Sequence, residues 1–459
     1  MFGIILARLL TPTDYGTLGV YGIFFAVAST FIDSGFGSAL IQRKNLTNTD
    51  CSTIFYFNIA VGVFFYIVFF FTSPLIADFF EMPILKDIIK VTALNLVIGS
   101  FCIVQRTLYR RHIDFKTIGL AEIFCNVASG LFGIFLAYRG YGVWALVYQQ
   151  LVGSILNSVI LWFLSKWKPI LAFSWTSFKE MFAYSGNVLA SGLLWTIYNQ
   201  GRSFAIGKFY SPTDLGFYTK GTKISSMLST NITSILQGVT FPVLARIQDD
   251  DARLMGAYRK YIKFTSLVIF FLMLLLVTIA KPLTLFLYTE KWSDAIIYMQ
   301  VISFSLMFDH IQQINLNLFY VKGRTDIVLR LEIIKRIISF AILIASIPFG
   351  VLAICASGVI YSQIALYLNT YYTGKLFGFG YWEQWKDFGY YFIVAAVSMI
   401  PSFLLTLLPL PNIALLIACP LLALAIYVAI LRRMKDEIFQ EYIVNEISNR
   451  IGKHINKEK

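Results

Sequence analysis

A six-residue phrase occurs twice in the chain, as Thr11-Pro12-Thr13-Asp14-Tyr15-Gly16 and again, 200 positions later, as Ser211-Pro212-Thr213-Asp214-Leu215-Gly216. Each copy lies between two apolar runs. Proline fixes φ, aspartate hydrogen-bonds the neighbouring backbone, and glycine permits a tight exit from a turn. The first phrase (11–16) and the second phrase (211–216) are therefore each predicted to form a short turn between two helices. Their recurrence indicates two related halves.

The composition of the chain is that of a membrane protein. Of its 459 residues, 58% are hydrophobic and 14% are charged, whereas a soluble domain contains roughly 25% charged residues. Apolar runs recur along the chain at ~20 residues, the length that an α-helix needs to cross the hydrocarbon core. The sequence therefore predicts an all-α polytopic membrane protein with about 14 transmembrane helices.

The predicted spans divide the chain into five parts. Two six-helix lobes are predicted at 1–165 and 180–374, joined by a cytoplasmic linker at 166–179. Two further transmembrane helices are predicted within 388–432, and the tail at 433–459 is predicted to form a cytoplasmic surface helix. Halves of six helices that run in the same direction are related by a pseudo-twofold axis along the membrane normal.

The first predicted span, residues 1–10, is apolar but too short to cross a bilayer. We expect it to be the outer part of a first helix whose inner part is missing. Either translation starts upstream or the chain is truncated.

The chain has a net charge of +13, and the distribution of its Lys and Arg residues between loops predicts its orientation. Lys and Arg are concentrated in alternate loops and in the tail, while the opposite set of loops contains few of them. Basic loops of membrane proteins face the cytoplasm, so both phrases are predicted to face outward. The excess positive charge is therefore attributed to topology, and no nucleic-acid partner is predicted.

The repeat extends beyond the two phrases. Glu122 and Glu332 lie 210 positions apart, each near the start of an equivalent predicted helix. The five cysteines are scattered and show neither metal-ligand spacing nor a disulfide framework. No metal site, no cofactor and no catalytic residue is predicted.

Four segments resemble a known family. They are 31–40 (FIDSGFGSAL), 142–147 (GVWALV), 206–216 (IGKFYSPTDLG) and 241–248 (FPVLARIQ). Together they are similar to the bacterial polysaccharide transporters, the Wzx-type and colanic-acid-type flippases of the superfamily that also contains the multidrug exporters and the lipid II flippase.

The resemblance implies a two-lobed bundle in the bacterial inner membrane that works by alternating access. The implied cargo is an oligosaccharide linked to undecaprenyl diphosphate, which moves from the cytoplasmic to the outer leaflet. Polysaccharide polymerase machinery and membrane lipid are the other implied partners.

Charged side chains within the spans are the best candidates for function, because each is costly in hydrocarbon unless it faces a partner or a wet cavity. The second phrase is surrounded by cations that could bind a diphosphate or an acidic sugar. The alternative is that Lys208 and Lys220 extend to the outer interface and bind nothing. The candidate substrate residues are Arg202, Lys223, Lys220, Lys208, Arg8, Asn199 and Gln200.

A second set of residues is predicted to serve coupling or gating. Asp33 is a coupling or gating carboxylate, or a helix-end residue that pairs with Arg43, with Lys44 or with a neighbouring helix. Asp309 and His310 lie deep in a span and form either a proton relay or a satisfied polar contact. Glu122 and Glu332 are interpreted as structural or gating residues, with the four cations Arg106, Arg110, Lys335 and Arg336 as candidate partners.

Three functions compete on the sequence alone. The leading hypothesis is a flippase for lipid-linked oligosaccharide, and the alternative is a cation-coupled small-molecule exporter of the multidrug type. The coupling ion, Na⁺ or H⁺, is open under both. A membrane polymerase or ligase needs a sizeable outward loop, and the predicted outward loops are short, so we expect a transporter and not an enzyme.

Overall fold

The computed structural model describes residues 2–33 and 35–441, and in that part of the chain every regular element is helical. Eight helices are long and apolar enough to cross a membrane, or nine if one bent pair forms a single span. The predicted all-α membrane class is therefore confirmed. The helices are α1 (Phe2–Leu9), α2 (Pro12–Asp33), α3 (Phe36–Gln42), α4 (Asn48–Phe79), α5 (Leu85–Thr92), α6 (Leu94–Ser100), α7 (Ile103–Arg111), α8 (Phe115–Tyr138), α9 (Val143–Leu164), α10 (Trp175–Phe209), α11 (Pro212–Arg246), α12 (Asp251–Thr278), α13 (Ala280–Tyr288), α14 (Ala295–Leu306), α15 (Asp309–Val321), α16 (Thr325–Ser346), α17 (Val351–Phe377), α18 (Tyr381–Thr406), α19 (Asn412–Arg433) and α20 (Glu437–Phe439).

Each predicted span has a helical counterpart, but several are interrupted. The predicted span at 88–108 is the series α5, α6 and α7, and α6 and α7 lie on either side of the bend. The predicted span at 293–321 is α14 followed by α15. Span prediction averages hydropathy over ~20 residues, so it does not locate a break in the backbone within a span. The tail beyond residue 441 lies outside the described residues, so its predicted surface helix stays a prediction.

Contacts group the chain into two compact units, 1–219 and 220–459. In the first unit, α8 packs on α9 and α10 packs on α2. In the second unit, α12 packs on α18 and α14 packs on α17. The first unit includes α10, which the repeat assigns to the second lobe, so the predicted lobe boundaries stay a prediction.

Both phrases mark helix starts, as predicted, although one detail of the prediction is wrong. Pro12 and Pro212 are the first residues of α2 and α11, where a missing N–H costs nothing. Asp14 accepts hydrogen bonds from the backbone N–H and the hydroxyl of Thr11, at 2.9 and 2.8 Å, and so caps the helix. Gly16 lies in the second turn of α2, so it does not serve as the exit from a turn.

The backbone preserves the repeat where the sequence does not. Ile113 and Gly323, 210 positions apart, both adopt positive φ, at 60° and 66°. They follow α7 and α15 and precede α8 and α16. A β-branched residue is strained at positive φ, so the surroundings of Ile113 must impose this backbone conformation. The same offset separates Glu122 from Glu332, which supports their assignment as equivalent positions.

Arg111 caps the C-terminus of α3. Its guanidinium donates to the carbonyl oxygens of Leu40, Ile41 (3.0 Å), Arg43 (2.7 Å) and Lys44 (3.2 Å). The last carbonyls of a helix have no partner within the helix. One cation from α7 therefore satisfies the carbonyl oxygens at the end of α3 and beyond it.

We expect Arg111→Ala to destabilise the protein by about 2 kcal/mol, because charged donors to several carbonyls are lost. The measurement is the midpoint of thermal unfolding of the purified protein in detergent. The matched control is Arg110→Ala, since Arg110 is exposed and has no hydrogen bond or ion pair to the described residues. Equal midpoints for the two variants would show that the cap contributes nothing.

Candidate functional site

Arg202 lies half-buried in the last third of α10. Its Nε atom is buried and has no hydrogen-bond partner among the described residues. A buried donor without a partner costs about 1–3 kcal/mol, and more when it is charged. The arrangement therefore suits an acceptor that comes from outside the chain.

The structure gives Lys208 and Lys220 partners within their own units. Lys208 Nζ donates to the carbonyl oxygen of Phe79, the last residue of α4, and lies 4.3 Å from the centre of the Phe79 ring. Lys220 is 8% exposed, and its Nζ lies 5.2 Å and 5.5 Å from the ring centres of Tyr288 and Trp292. Both ammonium groups are stabilised by helix-end carbonyls or aromatic faces. These contacts favour a packing role for the two lysines over direct cargo binding.

The remaining predicted cargo residues are more accessible. Lys223 is exposed on α11, one turn beyond Lys220, and Arg8 is exposed on α1. Asn199 is exposed and donates to the carbonyl oxygen of Trp195 in the preceding turn at 3.0 Å. Gln200 is half-buried. Among the predicted cargo residues, Arg202 and Lys223 are therefore the two cations whose charge is most available to a ligand.

Asp33 ends α2 and is exposed. The cations that act on its carboxylate are Arg106 and Arg110 of α7. The predicted partner Arg43 instead pairs with Asp50 at 3.0 Å, so the Arg43 alternative for Asp33 is wrong. Arg43 is displaced from Asp33 because α3 and its C-terminal cap separate the two residues. Asp33 therefore faces positive charge from another helix.

His310 is buried, with 1% of its surface exposed. Its Nε2 lies 3.0 Å from the Ser266 hydroxyl, and its Nδ1 lies 2.8 Å from the Met307 carbonyl oxygen. Asp309 beside it is half-buried. Both ring nitrogens have partners, which favours the satisfied polar contact over the proton relay.

The two equivalent glutamates differ in their surroundings. Glu332 pairs with Lys335 at 2.5 Å and with Arg336 at 3.0 Å, the partners that the sequence suggested. Glu122 is exposed and makes no ion pair with the described residues. The equivalent positions therefore share a place on the helix but not an electrostatic role.

A buried polar network in the second unit was not predicted in full. The fully buried side chains of Asn315 and Gln384 exchange hydrogen bonds at 3.0 and 3.2 Å, and Thr373 donates to Asn315 at 2.6 Å. Gln384 was missed, although a polar residue at the start of an apolar helix is a usable signal.

A charged contact joins α12 to α18. Asp387, on α18, receives two hydrogen bonds from Arg259, at 2.7 and 3.0 Å, and pairs with Lys263 at 3.3 Å. Asp387 is buried, so the paired guanidinium satisfies a carboxylate that would otherwise be costly. The sequence does not reveal this contact, because α12 and α18 are far apart in the chain.

Comparisons with known proteins agree with this architecture. Residues 5–297 match the model of a family described as polysaccharide biosynthesis protein. The chain is 24% identical over 325 residues to the teichuronic acid biosynthesis protein TuaB of Bacillus subtilis (strain 168), which covers 70% of this chain and 67% of that one. It is 23% identical over 337 residues to the lipopolysaccharide biosynthesis protein WzxC of Escherichia coli (strain K12), which covers 72% and 68%.

A solved structure shares the fold. The lipid II flippase MurJ in an inward closed conformation superposes with a TM-score of 0.76 at 15% identity, over 94% of this chain and 97% of that one. At this identity the likeness establishes the fold, which is a polytopic bundle of helices.

We expect His310→Leu to destabilise the protein by about 1–3 kcal/mol, because the Ser266 hydroxyl loses its buried partner. His310→Gln, which can still hydrogen-bond Ser266, is expected to recover most of that loss and to leave the pH profile of transport unchanged. Thermal unfolding and transport measured between pH 6 and pH 8 (about the range in which histidine titrates) check both statements. A flattened pH profile in His310→Gln would favour the proton relay instead.

Proposed function

Because the chain belongs to the polysaccharide biosynthesis protein family, we propose that it moves an oligosaccharide linked to undecaprenyl diphosphate across the bacterial cytoplasmic membrane. The cargo passes from the cytoplasmic to the outer leaflet by alternating access. The names of the relatives, which refer to teichuronic acid and to lipopolysaccharide biosynthesis, support a polysaccharide precursor as cargo. The fold that the chain shares with a lipid II flippase supports movement of a lipid-linked substrate.

The observation that supports an anionic cargo most directly is the unbonded Nε of Arg202. A guanidinium in a membrane helix is costly unless it meets a partner, and its planar fork of donors matches the oxygens of a phosphate. Lys223 supplies a second, exposed cation. We assign Arg202 to the diphosphate, and Lys223 is a separate candidate in the second unit.

The proposed orientation places the basic loops and the C-terminus in the cytoplasm. The concentration of Lys and Arg in alternate loops and in the tail supports this orientation. The phrases then face outward.

For coupling and gating, we assign Asp33 as the acting carboxylate. It is exposed and lies in the field of Arg106 and Arg110, so neutralising it with H⁺ or binding Na⁺ beside it changes the local charge balance. The ion pairs of Glu332 with Lys335 and Arg336 favour a structural role for that carboxylate.

We expect Arg202→Gln to slow translocation roughly tenfold or more, because a charged hydrogen bond contributes about 1.5–3 kcal/mol. The assay uses proteoliposomes with a fluorescent undecaprenyl-diphosphate oligosaccharide, and it measures the fraction that a membrane-impermeant reagent reaches over time. The matched control is Lys208→Gln, which removes a cation that already has a partner in α4 and should change the rate little.

Two outcomes would contradict the proposal. Translocation by Arg202→Gln at the rate of the unmodified protein would remove the assigned diphosphate contact. Ion-driven extrusion of a small cationic dye, with no movement of the lipid-linked oligosaccharide, would favour the multidrug-type alternative.

A further inference from the structure

The two phrases lie against each other within the first unit. The hydroxyl oxygens of Thr13 and Thr213 are 2.8 Å apart, so one donates a hydrogen bond to the other. These two residues occupy the same place in the two copies of the phrase. A contact between equivalent residues is what a local twofold relation between the helix starts produces.

Beside the hydroxyl pair, the backbone of each phrase contacts the other phrase. This backbone contact requires glycine on both sides. A Cβ atom added to Gly16 would lie 1.6 Å from the carbonyl oxygen of Pro212, and one added to Gly216 would lie 1.9 Å from that of Pro12. Distances under 3.0 Å are not found for real Cβ atoms. Each glycine therefore admits the proline carbonyl of the other phrase, and a single added methyl group would separate them.

Close packing continues for one further turn. A Cβ on Gly19 would lie 3.2 Å from the Leu215 side chain, and one on Gly207 would lie 3.2 Å from Val20. Gly22, one turn deeper in α2, has no atom within 4 Å of its Cβ position. Deeper in the pair, α2 and α10 come close again, because a Cβ on Gly192 would lie 3.2 Å from the Thr30 side chain and the Thr30 and Thr196 hydroxyl oxygens are 2.9 Å apart.

The charged groups of the phrases are not used to join them. Asp214 accepts hydrogen bonds from the backbone and the hydroxyl of Ser211, at 3.2 and 2.6 Å, as Asp14 does from Thr11. Each phrase is thus capped by its own residues and keeps its shape without the other. The Thr13–Thr213 hydroxyl pair and the van der Waals contact at the two glycines join one phrase to the other.

From this geometry we infer that Thr13, Gly16, Thr213 and Gly216 form a reversible latch that closes the outer side of the transporter. The inference rests on the proposed function, because a closed outer side has meaning only if a cargo must pass. Two helix N-termini, each with a partial positive charge, repel each other slightly when they meet, and the capping aspartates offset that repulsion. The latch is therefore poised between contact and separation, and it must open once per transport cycle.

The test is a disulfide across the latch in the double variant Thr13→Cys/Thr213→Cys. The five native cysteines are buried, so they do not compete for oxidant or label. A mild oxidant is applied to membranes, and the free thiols that remain are counted with a polyethylene-glycol maleimide. We expect most of the protein to crosslink, translocation to fall to background, and reductant to restore it. The two single-cysteine variants are the controls.

The glycine requirement is tested in the same background. Adding Gly16→Ala should lower the crosslinking rate severalfold, whereas adding Gly22→Ala should leave it unchanged, since only the first methyl group meets the other phrase. Equal rates in the two variants would overturn the latch. Full translocation by crosslinked protein would also overturn it, because the phrases would not need to separate.

The experiments distinguish a failure of the latch from a failure of the proposed function. If the unmodified protein moves no lipid-linked oligosaccharide, the proposed cargo is wrong. The latch is then judged by the maleimide reaction of the single variant Thr213→Cys, whose position is half-buried. Faster labelling with Gly16→Ala than with Gly22→Ala supports the latch, and equal labelling contradicts it.

Discussion

The cost of an unpaired polar group in hydrocarbon is the constraint on which the structure depends. It requires helices, because only a helix satisfies its backbone within one segment. It also separates the polar side chains into two groups. His310 and Asn315 are buried with partners for their polar atoms, and they stabilise packing. Arg202 Nε is buried without a partner, and such a group indicates where something from outside the chain is expected.

The same constraint explains which parts of the fold could be predicted. Apolar runs predicted the spans, since membrane helices must be covered by apolar side chains. The breaks between α6 and α7 and between α14 and α15 were not predicted, because hydropathy averaged over the length of a span does not locate a break in the backbone. The turn at each phrase followed from local chemistry. The role of Gly16 did not, because it depends on a carbonyl oxygen that lies about 200 positions away in the chain.

For the candidate site, the sequence identified which residues are costly but not what each contacts. Lys208 and Arg202 are six positions apart on one helix and look equivalent in the sequence. Only the structure shows that the end of α4 provides a carbonyl and an aromatic ring for Lys208 and that Arg202 keeps an unbonded donor. The partner of Arg43 was likewise misassigned, because Asp50 is presented by the next helix and Asp33 is separated by α3. Side-chain contacts between helices decide these roles, and such contacts cannot be read from a single sequence.

Comparing the two halves of the repeat gives an independent reason to connect the cations with a ligand. At the 200-residue offset of the phrases, Phe2, Val20 and Ile23 occupy the positions of Arg202, Lys220 and Lys223. Val20 and Ile23 are buried and apolar, so the helix that follows a phrase does not need a cation at these places in order to fold. The two halves of the repeat share their backbone arrangement but not these charged side chains. Packing accounts for Lys220, which lies against the rings of Tyr288 and Trp292, but it leaves the charges of Arg202 and Lys223 unexplained. An anionic head group has no symmetry of its own, so a cation that binds one needs no counterpart in the other half of the repeat.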